Sequence, residues 1–159
     1  MQAIIRKAGE TDIVSILPLW HELMEFHSAF DSRFRLAADA ISQGHSHFRA
    51  ELTAPTSLLV VAEHDSTIVG YCLASCRQQP PIFERRAYGF ISEFHILPSF
   101  RRCGIGSSLF AYTQRWFNKQ GISRIELVTI NANDDSNAFW QHMGFRSYAE
   151  RRSLELDAA

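Results

Sequence analysis

The segment RRCGIGSSLF, Arg101 to Phe110, sets two arginines and two glycines at one corner, between an extended run at 88–97 and an amphipathic helical run at 104–120. A helix that starts directly off a strand leaves its first N–H groups without intrahelical partners and gathers about +0.5 of a charge there. Such a corner demands a sheet with helices packed across it. It also marks a place where an anion could approach the backbone closely.

The rest of the chain supplies the layers. QAIIRK reads as a first strand. Thr11 or Asp12 is placed to cap a helix whose apolar stripe runs Ile13, Ile16, Leu17, Trp20, Leu23 and Met24, with a kink expected at Pro18. Asp39 is placed to cap a second helix, with Ile41, His45, Phe48 and Leu52 on one face and Pro55 as its stop. SLLVVAE and TIVGYCLASCR, joined by HDS, form a hairpin, and QQPPIFERRA is a Pro-marked loop. Beyond the corner come a helix over 104–120 ended by Gly121, a strand RIELVTI, a short helix DDSNAFWQHM ended by Gly144, and one or two strands in FRSYAERRSLEL. Hairpin and strand–helix–strand units together predict an α/β sandwich on a mixed sheet. No repeat or linker interrupts it, so residues 1–159 are expected to form a single domain.

Composition narrows the function. Sixteen Lys and Arg against seventeen Asp and Glu leave a formal charge of -1, so no global positive field gathers nucleic acid or anionic lipid, and any anion site must be local. The apolar runs fall far short of a membrane span, and MQAIIRKAGE lacks the apolar core of a signal peptide. A cytoplasmic protein is expected. Cys72 and Cys76, on one strand, would stand ~13 Å apart at about 3.3 Å per residue, beyond disulfide reach. One Cys-x3-Cys without a second pair, and no HExxH, argue against a metal.

Three glycine-rich phosphate loops compete for the corner. GxxxxGK[ST] is absent. A dinucleotide GxGxxG would need Gly or Ala where Leu109 stands, and a carboxylate at a strand end where Glu126 lies mid-strand. What remains is Arg-x-x-Gly-x-Gly, which resembles the pyrophosphate loop of the GNAT (general-control-related) N-acetyltransferase superfamily. Downstream, NANDDSNAFWQHMGF resembles that family's N-x-x-A…Y-E-K-x-G-F segment, with Asn133 at the Asn position and Gly144-Phe145 at the Gly-Phe position. The order of elements agrees over most of residues 2–156. The resemblance implies a GNAT-like mixed, mostly antiparallel sheet of six to seven strands flanked by about four helices.

It also implies acetyl-CoA as the acetyl donor, with its pyrophosphate on the backbone N–H groups of Arg102, Cys103, Gly104, Ile105, Gly106 and Ser107. Arg101 is by position the motif arginine. Backbone groups near Phe94 and Ile96 are implied to pair with the pantetheine arm and polarise the thioester carbonyl. Attack needs a neutral amine, so a proton must be accepted; Glu93, three residues before Ile96, is where relatives often carry the base, and His95 shares its face. Glu22, Asp31 and Glu84 add only negative potential.

One position departs from the family. The tyrosine that in many members protonates the leaving thiolate is replaced by Trp140, whose indole donates a hydrogen bond but no proton at neutral pH. Either Tyr148 serves as the acid, or the thiolate leaves without one, and Trp140 reads as an aromatic wall of the coenzyme site.

The expected activity is therefore transfer of an acetyl group from acetyl-CoA to a primary amine by direct attack in a ternary complex, the acceptor a small molecule. The alternatives are a catalytically silent acyl-CoA-binding protein, or an acetyltransferase acting on a protein N-terminus or lysine. HSAFDSRFRLA and QQPPIFERRA are expected to line the acceptor site; their mix of Phe30, Phe34, Phe83, Asp31, Arg33, Glu84 and Arg85 carries no single charge signature. The family admits a homodimer.

Overall fold

The computed structural model describes residues 2–155, grouped in two compact units, Met1–Val128 and Thr129–Ala159. The first unit holds a five-stranded sheet in the order β1-β2-β3-β4-β5: β1 Ile4–Lys7, β2 Ser57–His64, β3 Thr67–Gln78, β4 Ala87–Ile96 and β5 Ile125–Leu127. Neighbours pair antiparallel except β4 and β5, which run parallel. Its helices are α1 Ile13–Phe30, α2 Ala40–Thr53 and α3 Ile105–Lys119. The second unit contains α4 Asp134–His142.

The α+β class and the mixed, mostly antiparallel sheet with four helices match expectation, but the strand count does not. FRSYAERRSLEL forms no strand over its described residues 145–155, and Leu156 lies outside them. Its exposed arginines and glutamates at Arg146, Glu150, Arg151 and Arg152 offer no alternating apolar face to bury. RIELVTI shortens to the three residues of β5.

The β2–β3 hairpin turns on Asp65 and Ser66, with φ of 46° and 61°, the left-handed pair that matches the twist of a two-residue loop. Register then fixes the faces, because directly opposed residues in antiparallel strands point the same way. Leu59, Leu73 and Glu93 are aligned across β2, β3 and β4, as are Val61, Tyr71 and His95. This face meets α1 and α2 through a core containing Ile13, Ile16, Leu19, Leu23 and Phe48. The opposite face, with Cys72 and Phe94 aligned, meets α3, where the Thr113 hydroxyl lies 3.5 Å from the Cys72 sulfur.

A bulge in β4 decides which face Glu93 occupies. Leu73 opposes Glu93 and Ala74 opposes Ile91, so Ser92 is the extra residue, and its hydroxyl donates to the Leu73 carbonyl at 3.2 Å. Before the bulge, Gly89 and Ile91 belong to the α3 side, and a Cβ on Gly89 would stand 2.5 Å from the Phe117 ring. After it the parity flips, and Glu93 and His95 turn to α1 and α2. An unbulged strand would bury Glu93 under α3.

The helices correct two expectations. α1 carries Pro18 within its span, and although Asp12 is its N-cap residue the side chain makes no cap hydrogen bond: the carboxylate instead takes Arg6 at 2.7 Å and the Gly9 N–H at 2.7 Å. The buried stripe of α2 is Ala40, Gly44 and Phe48, while Ile41 and His45 face out. The reason is Gly44, which an apolar count passes over: a Cβ there would come within 2.9 Å of the Trp20 ring, so a residue without one lets α2 lie close on α1.

Candidate active site

Glu93 lies near the end of β4, on the face that meets α1 and α2. Its side chain is 12% exposed, Oε2 accepts a 2.9 Å hydrogen bond from the Tyr71 hydroxyl, and Oε1 stands 3.8 Å from Nε2 of His47. Burial pushes the carboxyl up to about 7; the Tyr71 hydrogen bond opposes this and the charge of Glu51 adds to it. Tyr71 is fully buried, and desolvation followed by the charge of Glu93 raises its phenol well above the ordinary value, so it stays a donor. Phe48 packs against both partners, with ring centroids 5.8 Å from Tyr71 and 5.5 Å from His47.

His95 belongs to the same face but differs in character. It is 4% exposed, and burial, with the charge of Arg101 and then His27, pulls it down to about 4. The ring is therefore neutral at physiological pH. Its Nε2 makes no hydrogen bond, with Glu22 Oε1 at 3.5 Å. Beyond it the end of α1 presents an aromatic group: Phe26 and Phe30 meet edge to face at 5.0 Å, and His27 and Phe34 lie 5.6 Å apart. The three phenylalanines are each about two-fifths exposed, at 41%, 39% and 42%. Asp31 is bound to the Arg33 guanidinium, which holds its carboxyl down to about 2.

The corner occupies the other side of β4. Arg101 Nε donates to the Ile96 carbonyl at 2.9 Å, and the Cys103 thiol donates to the Phe100 carbonyl at 2.8 Å. Arg102 has φ 61° and is exposed. Gly104, at φ 86°, is the N-cap residue of α3. The first helical bond is Ser108 N–H to Gly104 carbonyl at 3.1 Å, and no side chain caps the turn. Ile105, Gly106 and Ser107 thus present the N–H groups that a helix start leaves over. A cavity of about 330 Å³ adjoins them, lined by Cys103, Gly104, Ile105 and Ser108 with Gln2, Ala3 and Ile5. An uncapped helix start, a positive-φ glycine and an adjoining cavity suit an anion such as a diphosphate.

Between the two sides, β4 runs on past its β5 partner. Pairing of β4 with β5 covers Gly89, Phe90 and Ile91 and ends there. The Leu97 N–H bonds the Val69 carbonyl of β3 at 2.9 Å, so by strand alternation the N–H groups of Phe94 and Ile96 point away from β3. Glu93, Phe94, Ile96 and the corner 101–107 are therefore gathered along one strand end.

Asn133, Trp140 and Tyr148 belong to the second unit. Asn133 caps α4, accepting from the Ser136 N–H at 3.1 Å. Trp140 is buried and packs edge-on against Phe139 and Phe145, with centroids 4.9 and 5.2 Å away. Tyr148 is 77% exposed. Tyr71 and His47 are absent from the sequence-based site. Tyr71 needs the β3–β4 register to meet Glu93, and His47 needs the true face of α2. All three cysteines are free thiols, and among the described residues no three His, Cys, Asp or Glu side chains gather to hold a metal.

A mixed sheet whose β4 outruns β5, a glycine corner feeding α3 and a buried carboxylate on β4 fit an acyltransferase-type architecture. The model of the acetyltransferase (GNAT) family matches residues 19–145, and the chain belongs to that family. The comparison with curated proteins found no match. Among solved structures, a tetramutant of the BH1408 protein from Bacillus halodurans superposes with a TM-score of 0.87 at 22% identity, covering 96% of this chain and 99% of that one. Aminoglycoside N-acetyltransferase AAC(6')-Iy in complex with CoA gives 0.81 at 20%, covering 99% and 96%. Aminoglycoside 6'-N-acetyltransferase AAC(6')-Ih from Acinetobacter baumannii gives 0.78 at 18%, covering 99% and 100%. At these identities the likeness is one of fold.

Proposed function

We propose that the protein transfers an acetyl group from acetyl-CoA to the primary amine of a small molecule, by direct attack of the amine on the thioester, with Glu93 as general base. The observation that carries this reading is the Glu93 carboxylate, pushed up to about 7 on the strand whose far half lacks a β5 partner. A base is most effective when it titrates near the working pH. His95, held near 4, is a much weaker proton acceptor there.

The N–H groups of Ile105, Gly106 and Ser107 would hold the coenzyme's pyrophosphate, helped by the Arg102 guanidinium; Arg101 Nε is engaged by the Ile96 carbonyl. The thioester supplies an activated acetyl and a leaving thiolate. The amine loses a proton to Glu93 as its lone pair forms the C–N bond, and the C–S bond breaks with its electrons on sulfur. The Phe94 and Ile96 backbone groups line the edge where the carbonyl would be polarised. The exposed Phe26, Phe30 and Phe34 support an organic amine as acceptor.

A panel of phenethylamine, spermidine, neamine and a lysine-bearing peptide, read by coenzyme A release, tests the reading. Turnover of a small amine at least tenfold above the peptide is expected. Preference for the peptide would move the acceptor class to protein, and coenzyme A binding without turnover of any amine would leave a silent binding protein. Trp140→Phe should keep most of the activity, since an indole gives up no proton. Tyr148→Phe should lower kcat by about 10² or more if its phenol protonates the thiolate, with KM little changed. Parent-like kinetics in Tyr148→Phe would mean that the thiolate leaves unaided.

A further inference from the structure

Acetylation of an amine that arrives protonated leaves one proton over in every cycle. The ammonium loses one to become nucleophilic, the nitrogen loses a second after the C–N bond forms, and the departing thiolate takes one back. If Glu93 is the base, that surplus proton must leave a carboxyl whose side chain is only 12% exposed.

Among the described residues of the first unit, one side chain offers an exit. Oε2 is committed to the Tyr71 hydroxyl, which is itself fully buried. On β4, His95 is 4% exposed, with Glu22 and His27 of α1 and Arg101 around it, and it holds no proton near neutral pH. On α2, the charge of Glu51 raises the proton affinity of Glu93. His47, one turn earlier on α2, places Nε2 3.8 Å from Oε1 while 46% of its side chain is exposed. It alone among these groups both reaches the carboxyl and meets water.

We propose that His47 is a positioning residue that relays the proton of Glu93 to solvent, Nε2 taking it from Oε1 as the 3.8 Å gap closes to hydrogen-bond length or through one bridging water, and the imidazole passing it on, so that the base is reset between cycles. This rests on Glu93 as the base. Imidazole suits the role because it accepts and releases protons in the neutral range with a nitrogen to spare for each step. The ring packs at a tilt against Phe48, with centroids 5.5 Å apart, which restricts its movement beside Glu93.

The test uses acetyl-CoA and the fastest amine of the panel at pH 8, in dilute buffer at fixed ionic strength. His47→Gln, and His47→Phe to keep the ring packing, should release one coenzyme A per site in a first fast phase and then slow about tenfold. Added imidazole should restore the slow phase towards the parent rate while KM for the amine stays constant. Glu93→Gln should lack the fast phase and gain nothing from imidazole. Parent-like steady turnover in both His47 variants, or a loss that imidazole leaves unchanged, overturns the relay. Parent-like turnover in Glu93→Gln overturns the base itself, so the two failures are told apart. Thermal melts of the variants separate either from unfolding.

Discussion

Glu93 is a carboxylic acid displaced toward neutrality by its own burial, and the displacement reaches beyond catalysis. Its ordinary value is 4.5 and its folded value about 7, so between those pH values the folded chain keeps a proton that the unfolded chain has lost. The stability tied to this group is complete below pH 4.5 and is lost as pH rises through 7. Glu93→Gln cannot ionise. It should unfold less readily than the parent at pH 8, by up to about 3 kcal/mol, with the advantage vanishing near pH 4. Denaturant titrations at the two pH values read this, and equal stabilities at pH 8 would count against a buried, raised carboxyl. Its turnover should meanwhile fall by about 10² near pH 7, the loss shrinking toward pH 10 as free amine appears without a base. Glu93 was named from the sequence by its place three residues before Ile96, where members of the resembled family often carry a carboxylate. Tyr71 and His47 were not, since each meets it across more than twenty residues of chain.

The corner and the bulge show at the level of elements what a linear reading catches and what it misses. The Arg-x-x-Gly-x-Gly string and the periodicity after it located α3 within a residue, because glycine at a helix start and apolar spacing are local signals. The bulge at Ser92 leaves no such mark, yet it aims Glu93. The face of α2 was misassigned by one position, because Gly44 serves by what it lacks. Gly44→Ala should cost about 1–3 kcal/mol, since the added methyl meets Trp20 and Leu17 within 3.1 Å. Gly104 is the opposite case: a Cβ there meets nothing within 4 Å, and only φ 86° resists a side chain. Asn and Asp tolerate that conformation best and share a shape. Gly104→Asn should therefore bind coenzyme A within a few-fold of the parent, while Gly104→Asp should bind it at least tenfold more weakly through like-charge repulsion. Calorimetry distinguishes them. Equal affinities would remove the pyrophosphate from the α3 start.

Across the whole chain the order of elements was a strong signal, because strand, two helices, hairpin, corner strand and helix follow one another along the chain as they do in the five-stranded sheet and its helices. The extra strands expected near the C-terminus failed for a local reason: the described residues 145–155 carry charge where a strand would need an apolar side. A donor that binds the folded chain alone must stabilise it by mass action. Coenzyme A at ~100 times its dissociation constant adds about 2.7 kcal/mol, which at roughly 2–4 °C per kcal/mol shifts the midpoint of a domain this size by roughly 5–11 °C. The shift should depend on the diphosphate, so pantetheine, which has the arm without it, should move the melt far less at equal concentration. It should also survive in Glu93→Gln, whose carboxylate takes no part in holding the donor. A parent that melts at one temperature with and without saturating coenzyme A would separate this chain's activity from that of its family, whatever its fold.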